Sequence, residues 1–238
     1  MKKKKFVSAI IVAAGSAVRM NRDKMLLPLC KIPCIARTML AFEKSEMTDE
    51  IVVVTRPEMK NEIEKLAKEY KISKLSAIVD GGKSRQESAA NGFYKINEKS
   101  ETVCVHDGAR PLIKPETIDF LLNEAENYPA ICAGKPVTDT IKRLDENGFI
   151  LETPQRNMLA AAVTPQIFSR EVYTKAVENA RGSFERFTDD SGMAEACGIK
   201  VKLCDCGPSN IKITTPEDVF AAEKIILSQT EKNNEQDQ

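Results

Sequence analysis

The chain has 238 residues, of which 42% are hydrophobic and 29% charged, with 35 basic side chains balanced by 35 acidic ones. That length suits one α/β domain with at most a small appendage. Zero net charge argues against a broad nucleic-acid or anionic-membrane surface, and no stretch approaches the roughly twenty apolar residues of a membrane span.

From the amino end, Met1 and four lysines precede an apolar run, which imitates a secretory signal. The run is only about eight residues, short for such a segment, and removing it would delete a strand that the later pattern requires. We therefore read residues 6–12 as the first buried strand. It runs into Ala13-Ala14-Gly15-Ser16-Ala17, with Arg19 and Lys24 following. Two readings fit. Small side chains let backbone N–H groups approach phosphate oxygens, and the two cations neutralise the charge. A tight strand-to-helix turn with two solvated cations fits equally well.

Further apolar strands are expected at 51–54, 76–79, 102–105, 130–133 and 201–204. Between them Met59, Ile63, Leu66, Ala67 and Tyr70 share one helical face, as do Ile118, Leu121, Leu122 and Ala125 after Pro115. A final helix is announced by Thr215-Pro216-Glu217-Asp218, with its cap, first-turn proline and acids. Nearly all-apolar strands alternating with helices predict a doubly wound, mainly parallel α/β sheet, with ligands beyond the carboxyl ends of its strands. One stretch breaks the rhythm. Residues 140–144 and 149–152, joined through Asn147-Gly148, read as a β-hairpin. It needs its own domain or a second subunit to pack on, because an isolated hairpin is marginal in water. Residues 1–228 form the expected single domain, with the arm at about 138–158, and residues 229–238 are expected as a polar, frayed tail.

The seven cysteines are scattered and odd in number, which points to a reducing, cytoplasmic setting. Cys197, Cys204 and Cys206 match no common zinc spacing and read as structural thiols. Asp107, at the end of the strand that carries His106, is well placed to hold a divalent cation beside a phosphate loop, since magnesium favours one or two carboxylates plus phosphate oxygens. Arg110 could take a second anion. Alternatively, Asp107 caps a turn and Arg110 is a surface residue; His106 reads as structural. Gly81-Gly82-Lys83-Ser84-Arg85 and Ser88 could present backbone groups and a hydroxyl to a nucleobase, with Arg85 serving an anion or a helix cap. Arg156 and Lys212 are cations beside segments able to form a second phosphate pocket, and Thr188-Asp189-Asp190 reads as a helix cap.

Taken in order, these segments resemble the cytidylyltransferases that couple CTP to methylerythritol 4-phosphate in non-mevalonate isoprenoid synthesis. The matching words are Ala13-Ala14-Gly15 with Arg19-Met20 and Lys24, Gly81-Gly82 with Arg85 and Ser88, and His106-Asp107 with Ala109-Arg110-Pro111. Asp139-Thr140-Ile141-Lys142, Arg156-Asn157, Thr164-Pro165-Gln166, Thr188-Asp189 and residues 210–214 complete the set, which spans residues 6–226. The resemblance implies a Rossmann-like nucleotidyltransferase fold, a divalent cation such as magnesium, and a homodimer clasped by the hairpin arm. By it, Ala13, Ala14, Gly81, Gly82 and Ser88 bind the cytidine, while Gly15, Arg19 and Lys24 hold the triphosphate. Asp107 positions the metal, and Arg110, Thr140, Thr164, Arg156 and Lys212 hold the acceptor, some across the dimer. Arg19, Lys24, Arg156 and Lys212 are the cations expected to carry catalysis. Three positions depart from the family pattern: Ala17 for a glycine, Asp23 for a proline and Lys83 for an acid, each bearing on CTP affinity.

The nearest rival is the related group that uses pentitol phosphates such as ribitol 5-phosphate; Asp139-Thr140-Ile141-Lys142 and Arg156-Asn157 favour methylerythritol phosphate. A nicotinamide-dependent dehydrogenase fits poorly, since Ala17 and Val18 interrupt its glycine fingerprint. A non-catalytic nucleotide-binding module is the third reading, opposed by the surviving cations and Asp107.

Overall fold

Burial on both faces is what turns residues 6–12 into a central strand. In the computed structural model, which describes residues 5–15 and 23–236, β1 (Phe6–Val12) sends Val7, Ala9 and Ile11 into one apolar cluster and Ile10 and Val12 into another. The chain continues through β2 (Pro28–Leu29), β3 (Ile32–Pro33), α1 (Cys34–Lys44), β4 (Glu50–Thr55), α2 (Lys60–Glu69), β5 (Leu75–Asp80), α3 (Arg85–Phe93), β6 (Ser100–Asp107) and α4 (Pro115–Glu124). It then forms β7 (Ala130–Pro136), β8 (Arg143–Leu144), β9 (Ile150–Glu152), β10 (Ala160–Ser169), α5 (Arg170–Ala180), α6 (Asp190–Glu195), β11 (Lys202–Asp205) and α7 (Pro216–Gln236).

Seven strands make one sheet in the order β11-β7-β10-β6-β1-β4-β5, parallel except for β10, which runs against both β6 and β7. Helices α1, α2 and α4 cover one face through Met39, Phe42, Ile63, Leu66, Ile118 and Leu121. The other face is covered by α3, α5 and α6 through Ala89, Phe93, Val172, Tyr173 and Met193. Helix α3 lies so close that a Cβ on Gly92 would come within 2.6 Å of Ile10 and 2.7 Å of Val54. The order reverses at β1: β4 and β5 extend to one side, β6 to the other. The crevice at such a switch point is where open α/β sheets bind ligands. Val12 and Asp107 are register partners there, so the two sequence segments singled out as chemical lie side by side.

Four features differ from expectation. Strand β10 was hidden because Thr164-Pro165-Gln166 interrupts its apolar pattern; Pro165 lacks an N–H, and the β7 ladder shifts between Ala162 and Gln166. Helices α5 and α6 follow it, and α6 is capped by Asp189, whose carboxylate accepts from the Gly192 N–H at 2.8 Å. The hairpin forms at the expected turn but its ladder is short, limited to β8 and β9. The carboxyl-terminal helix has no break at residue 228, and α7 runs on through Gln236, correcting the expected frayed tail from 229. Among the described residues, no helix is long and apolar enough to cross a membrane.

Candidate active site

Backbone hydrogen bonds fix the loop after β1 before any side chain acts. The Ala13 N–H donates to Val54 O at 2.7 Å, and the Gly108 N–H donates to Val12 O at 2.8 Å, so the strand ends on either side hold it. Gly81 is pinned at the carboxyl end of β4 by donation to Thr55 O at 2.9 Å. A Cβ on Gly81 would fall 2.3 Å from the Ala14 Cβ, so glycine is needed for these two loops to meet. Next to them Ser84 caps α3, accepting from Glu87 N at 3.0 Å. The Ser88 hydroxyl accepts from Gly82 N at 2.9 Å and donates to Ser84 O at 2.8 Å. That hydroxyl therefore shapes the turn from below as well as lining the site.

The result is a cavity of about 390 Å³ lined by Ala13, Ala14, Gly15, Lys24, Gly82 and Ser88 together with Arg85, Asp107, Ala109 and Lys212. A larger cavity of about 620 Å³, between α1, residues 111–116 and α7, is lined by none of the candidate catalytic or binding residues and touches the motifs only at Pro111. Chemistry therefore favours the smaller one.

Asp107 is its electrostatic centre. Arg85 Nε donates to Oδ1 at 2.8 Å, Lys212 Nζ donates to Oδ2 at 2.8 Å, and Arg110 Nε lies 3.6 Å from Oδ2. Burial alone would raise this carboxyl, but Arg85 and Lys212 outweigh it and hold the group far below the usual carboxylate range. Arg85 also donates to Asp190 Oδ2 at 2.5 Å, and Asp190 Oδ1 accepts from the Tyr173 hydroxyl at 2.8 Å. Sequence reasoning missed Asp190 and Tyr173 as parts of the site. Their signal was a carboxylate and a phenol on distant elements, which only tertiary packing brings to Arg85.

Arg110 donates to Asn210 O at 3.0 Å, and Asn210 Nδ2 donates to Thr164 O at 2.8 Å, so residues 210–212 are laid against the strand ends. Buried Arg85 Nη2 and Arg110 Nε have no hydrogen-bond partner among the described residues. The buried Thr164 hydroxyl accepts from the Asp107 N–H at 3.0 Å and lies 3.2 Å from His106 Nδ1, so it fixes the backbone of Asp107. Thr140 and Arg156 are exposed on the arm, outside this cavity, with Arg156 Nη1 donating to Thr138 O at 2.8 Å. Arg19 and Ala17 lie outside the described residues. Asp23 and Lys83 are both engaged: Asp23 pairs with Arg56, and the Lys83 N–H donates to Glu87 Oε2 at 2.6 Å.

His106 is structural. Its Nε2 lies 3.2 Å from Arg110 O, which can only accept, so Nε2 carries the proton and Nδ1 accepts from Thr164. Burial lowers this imidazole to about 3. It is the only histidine in the chain, so it adds one identifiable imidazole contribution to acid stability, beside that of the depressed carboxyls such as Asp107. The unfolded chain takes up the proton first, near pH 6.5. Stability due to the neutral ring is therefore complete above that pH and falls as pH drops toward about 3. By pH 4.5 the loss should be on the order of 2–3 kcal/mol. Urea unfolding at pH 7 and 4.5 measures it, and His106→Gln should flatten the slope. An unchanged slope in that variant would assign the acid sensitivity to other groups.

Comparison with known proteins agrees with this geometry. The family model for 2-C-methyl-D-erythritol 4-phosphate cytidylyltransferase matches residues 7–228. A relative of that name from Caldanaerobacter subterraneus subsp. tengcongensis is 43% identical over 223 residues, covering 92% of this chain and 98% of the relative. Another from Nostoc punctiforme is 37% identical over 222 residues, covering 92% of this chain and 97% of its own. The crystal structure of 4-diphosphocytidyl-2C-methyl-D-erythritol synthase from Anaerococcus prevotii superposes with a TM-score of 0.85 at 30% identity, covering 94% of this chain and 97% of that one. Each relative is matched along almost its whole length by the segment that builds the cavity, and the chain belongs to the 2-C-methyl-D-erythritol 4-phosphate cytidylyltransferase family.

Proposed function

We propose that this chain transfers the cytidylyl group of CTP to 2-C-methyl-D-erythritol 4-phosphate, releasing pyrophosphate. The carrying observation is that the 13–15 loop, Lys24, Gly82, Ser88, Asp107 and Lys212 line one cavity at the switch point of the sheet. The acceptor's phosphate oxygen attacks the α-phosphorus of CTP in line, and negative charge grows on the α-phosphoryl oxygens. Lys24 and Lys212 are placed to meet that charge, and fixed cations favour the transition state over the ground state. No covalent nucleophile is required.

Among the described residues no group of three or more His, Cys, Asp or Glu side chains could hold a metal. The donor set fits an ion that takes most of its ligands from phosphates and water, as magnesium does. Lys212, 38% exposed, is the cation on Oδ2 that can shift to a phosphate, leaving that oxygen for magnesium. When bound, the ion would neutralise phosphate charge.

The arm carries the acceptor and the dimer. Phe149 is 70% exposed, Met158 79%, Ile150 61% and Leu151 53%, an apolar set that a single protomer leaves in water. A second copy of the chain covers it in this reading, and Thr140 and Arg156 then reach the partner's cavity. Cytoplasmic residence is supported by seven unpaired thiols.

The test is pyrophosphate release from CTP and magnesium, with methylerythritol 4-phosphate and ribitol 5-phosphate supplied separately. Release with the first alone supports the proposal; release with the second alone keeps the chemistry and changes the acceptor. Arg156→Ala should raise the KM of the acceptor by about tenfold or more and leave that of CTP in place, as expected for one lost charged contact. If the arm works across the dimer, mixing Lys24→Ala and Arg156→Ala protomers, assayed at acceptor concentrations far below the raised KM, should restore wild-type kcat/KM at roughly a quarter of the sites. No recovery would place Arg156 in its own protomer's site.

A further inference from the structure

Arg56 follows β4, outside every motif in the sequence, yet it spends three donors on three separate acceptors. Its Nη1 donates to Gly15 O at 3.1 Å, its Nε donates to Glu58 Oε1 at 2.8 Å, and its Nη2 pairs with the Asp23 carboxylate. Gly15 and Asp23 are not sequence neighbours, yet one guanidinium holds both.

Both lead directly to the cavity. Gly15 closes the backbone loop after β1, and Asp23 opens the turn that carries Lys24: Asp23 Oδ1 accepts from Met25 N at 3.0 Å, and Asp23 O accepts from Leu26 N at 3.1 Å. The root of Arg56 is equally fixed, since the carbonyls before it, Val54 O and Thr55 O, accept from Ala13 N and Gly81 N. The side chains are three-quarters buried or more, at 24% exposure for Arg56 and 20% for Asp23, so the pair is less screened than a surface contact.

We propose that Arg56 is a positioning residue for the nucleotide: by holding Gly15 O and Asp23 it fixes the backbone after β1 and sets the turn that carries Lys24. This rests on the phosphate-binding reading of residues 13–15 and Lys24. The guanidinium is suited to the task because it is planar and divides its donors among acceptors in different directions, which an ammonium cannot do with the same geometry. The same contact gives Asp23 a role of its own.

The experiment is steady-state kinetics with each substrate varied in turn, together with CTP-induced thermal shift. Arg56→Ala should lower kcat/KM for CTP by about 10- to 100-fold, because small misplacement of a reacting group is costly, while the acceptor KM stays within about twofold. Arg56→Lys should recover part of the loss. Asp23→Asn should show a weaker effect of the same kind, and combining it with Arg56→Ala should add little. Asp23→Asn also carries the test alone if Arg56→Ala fails to fold. A lower melting temperature with unchanged CTP kinetics would overturn the proposal and leave Arg56 a structural residue. If wild type bound CTP, lost that binding in Arg56→Ala, and released no pyrophosphate, the proposal would stand and the proposed reaction would fall.

Discussion

Lys24→Ala should lower kcat by about 10²- to 10³-fold, the usual effect of removing one donor aimed at developing charge. The expectation follows from the site's charge distribution. Lys24 lines the cavity, whereas Arg85, Arg110 and Lys212 are all drawn to Asp107. Asp107 thus takes up much of the positive charge around it, and Lys24 adds a further cation to the lining. If Lys24 acts mainly on the transition state, kcat and kcat/KM for CTP fall together and KM moves little. If it acts only as a ground-state anchor, KM rises and kcat stays near wild type. Lys24→Arg is the sharper comparison. It retains charge and changes its shape, so partial activity would show that a cation is needed and that its placement is constrained. A Lys24→Ala enzyme with near-normal kcat would remove this lysine from the chemistry.

Much of this organisation was legible in the chain itself, for identifiable reasons. Strands β1, β4 and β6 sit in the middle of the sheet and are buried on both faces, so they read as unbroken apolar runs. The segments at the carboxyl ends of β1, β6 and the edge strand β5 then had to converge, and Ala13, Gly82 and Asp107 do line one cavity. Strand β10 was not legible, because its middle is polar and contains a proline, although neighbours on both sides hold it in the sheet. The partners of Asp107 were also hidden. Asp190 and Tyr173 lie far along the chain from Arg85, and nothing local distinguishes a capping aspartate from one that neutralises a buried arginine. Thr164 was recognised as a site residue, but its hold on the Asp107 backbone, made where β10 runs beside β6, was not legible.

Arg85→Met should be the most destabilising single change in the site, by about 3–5 kcal/mol, as for other broken buried ion pairs. For a domain of this size that corresponds to a melting temperature roughly 6–20 °C lower. Arg85 bridges two buried carboxylates, and the two are not equally exposed to its loss. Asp107 retains Lys212 at 2.8 Å and Arg110 at 3.6 Å, but among the described residues the fully buried Asp190 retains only the Tyr173 hydroxyl. The penalty should therefore fall mainly on Asp190, and one further measurement separates it from simple loss of packing. Adding Asp190→Asn removes the stranded charge and should recover a good part of the lost stability at pH 7, even though a hydrogen-bonding group is lost with it. A deficit that the second substitution fails to relieve would mean that Arg85 stabilises by packing its stem. Recovery of stability without recovery of turnover would show the division of labour directly: Asp190 sets the arginine, the arginine sets Asp107, and the chemistry needs Asp107 in place.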